Sequence, residues 1–232
     1  GRLARDAYIS CAACHNDGGQ DGRVWDLTGF GEGLRNTIAL RGRAGGQGFL
    51  HWSNNFDEVQ DFEGQIRNLA GGSGLMSNTA FTAGTRSQPL GDAKAGQSAD
   101  LDALAAYVTS LNVFAPSPLR NQDSTLTADA VAGQSLFRTK NCATCHSGTA
   151  FTNSNGNNPS NVGTLTPASG QRLGGALAGI DVPTLRDAWA TAPFLHDGSA
   201  ATLADAIRAH NNVTVSDAEL PQLTAYLQQI GS

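Results

Sequence analysis

The chain is short of charge, of aromatic rings and of sulfur. Of its 232 residues 15% are charged and 6% aromatic, with one methionine and four cysteines; an ordinary soluble domain is about 25% charged. It has no basic cluster and a net charge of −5, which argues against nucleic acid or an anionic membrane surface as a partner. Its apolar runs are broken by Gly, Asp or Thr before they reach the length of a bilayer span. Glycine is in excess, at 28 residues. So few rings among so many hinges leave a thin core for this length, and something other than side chains is expected to fill it.

All four cysteines fall in two frames of one pattern, Cys11-Ala12-Ala13-Cys14-His15 and Cys142-Ala143-Thr144-Cys145-His146. C-x-x-C-H is the attachment pattern of c-type haem. Two thiols one turn apart add to the two vinyl groups of one porphyrin, and the adjacent histidine then lies beneath the iron as its proximal ligand. A thioredoxin-like pair does not require the histidine, and the repetition of the full pattern sets haem ahead of a zinc site built from two C-x-x-C pairs. Two covalent haems c are therefore expected. No cysteine remains for a disulfide, and haem c is attached outside the cytoplasm, so the expected location is periplasmic or extracellular. No signal peptide precedes Cys11, and the sequence reads as the mature or excised part of a longer secreted chain. The expected partners are a redox protein or other modules of that chain.

More than the motif recurs. Gly48-Phe49-Leu50-His51-Trp52-Ser53 echoes Pro193-Phe194-Leu195-His196-Asp197-Gly198-Ser199, and residues 101–111 echo 220–230, each with a tyrosine on a helical apolar stripe. The order is the same in both: haem motif, histidine loop, short helix, tyrosine helix. The fold class read from this is mostly α, two class I cytochrome c-like domains related by an internal repeat with one haem each. The first spans 1–115 and the second 126–232, joined by a Pro-containing linker at 116–125, where Pro116 and Pro118 stop the preceding helix. Thr127 is a helix N-cap leading toward the second motif, and Ser216 with Glu219 makes a capping box. Further helices are expected over 57–69, 200–210 and 216–230, with Pro221 bending the last. Residues 1–10 read as a charged helix-like stretch, 70–77 and 152–163 as loops, and strand patterns are nearly absent. The acids Asp57, Glu58, Asp61 and Glu63 read as the polar face of a solvated helix.

Gly133-Gln134-Ser135-Leu136-Phe137 before Cys142, then Val182-Pro183-Thr184-Leu185-Arg186-Asp187 and Ala192-Pro193-Phe194-Leu195-His196-Asp197-Gly198-Ser199, resemble the C-terminal half of the dihaem cytochrome c peroxidase family, which includes the MauG-type enzymes. The first half resembles it more loosely, through its haem motif and the stretch from Arg35-Asn36-Thr37 to Trp52. The resemblance implies two cytochrome domains meeting at an interface, and a calcium ion between them. The loop Asn16-Asp17-Gly18-Gly19-Gln20-Asp21-Gly22 has closely spaced oxygens but lacks the distal glutamate of a calcium loop.

The sixth ligand of each iron separates the functions, because an iron closed by two protein ligands passes electrons and an open one binds peroxide or oxygen. Aligned with the family, His210 stands where a distal Met or Tyr belongs, 64 residues beyond His146. By the same reasoning Met76, in a glycine-rich loop 61 residues beyond His15, is the candidate for the first iron, with His51 as its competitor. His51 and His196 also read as structural histidines bonded to a propionate or to backbone. Arg35, Arg41, Arg43 and Arg186 are candidates for pairing with propionates, and Trp25, Trp52 and Trp189 for packing against the haems or relaying electrons. Active peroxidases carry a glutamate in an Asn-Pro-x-Glu-Met context; here the segment is Asn68-Leu69-Ala70-Gly71-Gly72-Ser73-Gly74-Leu75-Met76, without it. The expectation is a dihaem electron-transfer cytochrome with no catalytic residue. The alternatives are a peroxidase or MauG-like oxidase with an open first haem, and a gas-binding sensor.

Overall fold

Thr127 begins the helix α4 (Ala128–Thr139) by accepting a hydrogen bond from Ala130 N at 3.4 Å, the N-cap bond that its hydroxyl is suited to make. The computed structural model describes residues 1–42 and 48–231. Its other helices are α1 (Phe62–Asn68), α2 (Asn78–Thr82), α3 (Ala99–Ser110), α5 (Leu203–Ala209) and α6 (Glu219–Leu227). Two short antiparallel pairs accompany them, β1 (Val24–Asp26) with β2 (Leu34–Asn36) and β3 (Gln171–Arg172) with β4 (Gly175–Ala176). Two- and three-residue strands are too short to show alternation, which is why the sequence did not display them. Among the described residues the fold is mostly helical with few strands.

The core gathers around α4 and α6. Ala130, Gly133 and Phe137 line one face of α4 at helical spacing and meet Leu223, Tyr226 and Leu227 of α6. The Phe137 and Tyr226 rings lie 5.4 Å apart, edge to face. Gly133 lets the helices cross, because a methyl group there would overlap the carbonyl oxygen of Gln222. The expected capping box at the start of α6 is present: Ser216 N donates to Glu219 Oε2 (2.8 Å) and Glu219 N to Ser216 Oγ (3.3 Å). The Ser216 amide, followed by the Lys140 ammonium and the Ser216 side chain, holds the Glu219 carboxyl down at about 2. Pro221 falls in the first turn of α6, where its missing N–H would have had no helical partner.

The two tyrosine helices differ in burial. Tyr226 is 6% exposed under α4, whereas Tyr107 on α3 is 59% exposed. α3 rests instead on the Val59–Asp61 turn and buries Leu101 in a second cluster with Met76 and Phe81. Two expectations are corrected. Residues 1–10 contain only a 3-10 turn, Arg5–Ala7, because the segment is tied to the glycine loop: Arg5 N donates to Ala70 O (2.9 Å) and Arg2 Nη2 to Leu75 O (3.2 Å). Of the acids before and within α1, Asp57 is exposed as expected, but Asp61 and Glu63 are not on a solvated face, being 2% and 0% exposed. Lys94 Nζ donates to Asp61, and Glu63 accepts from Arg67 Nε (2.7 Å) and from the amides of Leu75 and Met76. Among the described residues no helix is long and apolar enough to cross a membrane.

Candidate functional site

The two cysteine motifs fold alike. Cys142–Thr144 and Cys11–Ala13 each form a 3-10 turn. In the second, Cys145 N and His146 N donate to Cys142 O at 3.3 and 3.0 Å; in the first, Cys14 N and His15 N donate to Cys11 O at 3.2 and 2.9 Å. The second turn follows α4 directly through Asn141 at φ 62°, a left-handed helix exit that asparagine tolerates. No disulfide links any of the four cysteines. Burial raises the Cys142 thiol, and burial followed by Asp21 raises that of Cys14.

Beside the second motif lies a cavity of about 490 Å³, within the usual range for a cofactor site. Cys142, Cys145 and His146 line it, as do Phe137 of α4, Leu203 and Ile207 of α5, Leu223 and Leu227 of α6, and His210 just past α5. His146 Nδ1 lies 3.3 Å from Phe151 O and 3.2 Å from Pro183 O, and His210 Nδ1 lies 2.7 Å from Ala206 O. Each ring thus carries its proton on Nδ1 and keeps the Nε2 lone pair for a metal, the outer-shell arrangement of a ligating histidine. Burial first, and then His210, lower the His146 pKa to about 4, so the ring is neutral at physiological pH. Two thiols on one wall, two such imidazoles and an apolar lining fit a covalently held porphyrin.

The first motif stands differently. His15 Nδ1 lies 3.4 Å from Gly19 O, again a backbone acceptor, but neither the large cavity nor a smaller one of about 180 Å³ is lined by His15 or Met76. Met76 packs with Phe81 and Leu101. His51 has both ring nitrogens engaged, Nδ1 with Asn55 Oδ1 (2.6 Å) and Nε2 with Gln65 Nε2 (3.2 Å), between the rings of Phe56 and Phe62. His196 is buried, lines the large cavity and meets Ser169 Oγ through Nε2 at 2.7 Å.

Of the arginines, Arg186 lines the large cavity and stacks on Phe114 at 3.8 Å. Arg35 does not reach that cavity: it is buried against Glu32 (3.2 Å) and Ser169 O (2.9 Å). Arg41 bonds Asp17 O and Asp187, and Arg43 lies outside the described residues. Trp52 is buried on the large cavity with its indole N–H donated to Asn36 O (2.8 Å), while Trp25 is half-exposed. In the 16–22 loop, Asp21 is used by Arg23 N and the Trp25 indole, and no group of three or more His, Cys, Asp or Glu able to hold a metal ion occurs among the described residues. Sequence reasoning missed Asn36, whose buried Oδ1 has no partner while its Nδ2 donates to Pro193 O (2.6 Å) and Leu195 O (3.3 Å), and the buried acids Glu32 and Asp187. Only the arginines near them in sequence hinted at these acids.

Residues 130–231 match the cytochrome c family. Over 261 residues the chain is 29% identical to the hydrazine synthase subunit gamma of Kuenenia stuttgartiensis, covering 95% of this chain and 68% of that protein. It is 28% identical to the cytochrome c peroxidase of Escherichia coli K12, covering 95% of this chain but spanning only 52% of the peroxidase. A MauG-like protein associated with microbial copper homeostasis shares the fold at 19% identity, with a TM-score of 0.62 over 99% of this chain and 82% of that one. The C-x-x-C-H turns, the cytochrome c match and these likenesses make the chain a cytochrome c-type haem protein related to the dihaem cytochrome c peroxidases and similar in fold to a MauG-like protein.

Proposed function

We propose that the chain is a dihaem electron-transfer unit made of two repeated cytochrome domains, 1–115 and 126–232. In this reading His146 and His210 hold the second iron, and His15 and Met76 the first. The observation that carries it is the pair of imidazoles lining one cavity, each with its Nδ1 proton given to a backbone carbonyl. The haem supplies the one-electron couple when bound. The chain's own residues fix the two imidazoles, keep His146 neutral and exclude water with the Phe137, Leu203 and Leu223 side chains. Unlike ligand sets give the two sites unequal potentials and electron flow a direction. The unit works in the periplasm or outside the cell with a redox protein or other modules of a longer chain as partner. A calcium ion, which the family resemblance implies, belongs to this reading, with the unpartnered Oδ1 of Asn36 as a candidate oxygen ligand.

A second reading, a peroxidase or MauG-like oxidase with an open first haem, is favoured by one observation, the packing of Met76 into the Phe81–Leu101 cluster. The Met76→Ala variant tests between them. The ferric haem-loaded protein is expected to show the far-red thioether-to-iron charge-transfer band, and the variant to lose it and bind cyanide at the first site. An identical spectrum in protein and variant rules out Met76 as a ligand.

A further inference from the structure

Arg41 and Asp187 lie between the two haem motifs. Arg41 Nη2 donates to Asp17 O at 2.8 Å, and the guanidinium packs over Gly19, whose carbonyl faces His15 Nδ1. Its Nη1 reaches Asp187 Oδ2 at 3.5 Å. Asp187 is 2% exposed, and its Oδ1 has no hydrogen-bond partner. Its chain neighbours Arg186 and Ala188, with Leu185, line the large cavity. One side of the pair thus packs on the outer shell of His15, and the other sits in the segment whose neighbouring residues line the cavity that holds His146.

A buried carboxylate held by a single long ion pair is poorly compensated, so charge added nearby decides whether it keeps a proton. Among the described residues the charged groups facing it are Arg41, from the segment after β2, and Arg186 from its own segment; Gly231, packed on its backbone, has no side chain. Burial raises the carboxyl, and Arg41, then the Trp189 indole and then Arg186 oppose this. Trp189 Nε1 is likewise unpaired at hydrogen-bond distance, close enough only to favour the charged form.

We propose that Asp187 couples proton uptake to electron entry at the second haem site, with Arg41 setting the pH at which it does so. Asp187 takes one proton from water when one electron arrives from the redox partner, and returns it to water when that electron leaves. The proposal rests on the electron-carrier reading above. It requires the second-site potential of the haem-loaded protein to fall with rising pH, by up to about 59 mV per unit, a tenfold proton ratio at one electron. Asp187→Asn, nearly equal in shape but unable to titrate, is expected to flatten that slope. Arg41→Gln is expected to move the sloping window to higher pH, since it removes the charge that holds the carboxyl down. In reduced-minus-oxidised infrared spectra a carboxylic acid band appears on reduction in the parent protein and is missing in Asp187→Asn. A potential independent of pH, or a slope that survives in Asp187→Asn, overturns the proposal. Should Asp187→Asn fail to fold, an unmoved window in Arg41→Gln overturns it equally. High-spin iron would count against the electron-carrier reading instead, whereas two low-spin sites with a pH-independent potential refute the Asp187 coupling alone.

Discussion

The His210→Ala variant is expected to lose the low-spin signal of the second haem altogether and to gain a site that binds one imidazole or cyanide per chain. His210 follows α5 at φ −77° and ψ 105°. The loop that carries it is pinned, since Asn211 N donates to Val162 O at 2.9 Å and Val213 N to His210 O at 3.3 Å. With Nδ1 committed to Ala206 O, the ring's remaining nitrogen is available to a metal without rearrangement of the loop. A histidine at a helix C-terminus also has a bland explanation in the helix dipole, and that explanation predicts no spectral change. Added imidazole restores the low-spin spectrum if the variant has lost only a ligand, which separates that loss from misfolding.

The largest stability effect is expected at Lys94. Its side chain is 2% exposed, and its ammonium meets Asp61, itself 1% exposed, and Gln88 O at 3.4 Å. Lys94→Ala strands the Asp61 carboxylate, a loss of about 3–5 kcal/mol out of a total stability of about 5–15. At a urea dependence of about 2 kcal/mol per M, the denaturation midpoint falls by about 1.5–2.5 M. Replacing both partners by apolar residues often restores the stability of a buried pair. Here it is not expected to, because Asp61 Oδ2 also accepts the amides of Asp57 (3.0 Å) and Glu58 (3.4 Å). Equal midpoints for the parent protein and Lys94→Ala would show that the pair contributes nothing.

What the sequence made legible was local. The C-x-x-C-H turns, the Thr127 cap and the Ser216–Glu219 box lie within a few residues and carry their own geometry. Asp61 and Glu63 were misread because their partners are remote: Lys94 is 33 residues from Asp61, and the amides of Leu75 and Met76 are 12 and 13 from Glu63. Tyr107 and Tyr226 share one apolar pattern, yet only Tyr226 lies under α4. A helical stripe states which face seeks cover, not whether cover is present. His210 entered through the family resemblance, and its Nδ1 bond to Ala206 O could not be read from composition or spacing. Asn36 stood in the sequence only as part of the family-like stretch from Arg35 to Trp52, and its orphan oxygen is something that only packing creates.

Electron paramagnetic resonance of the ferric, haem-loaded chain, before and after addition of hydrogen peroxide, tests the central claim most directly. Two iron sites closed by protein ligands give two low-spin signals, no high-spin signal and no change with peroxide. A high-spin ferric signal that disappears when peroxide is added would contradict the electron-carrier account.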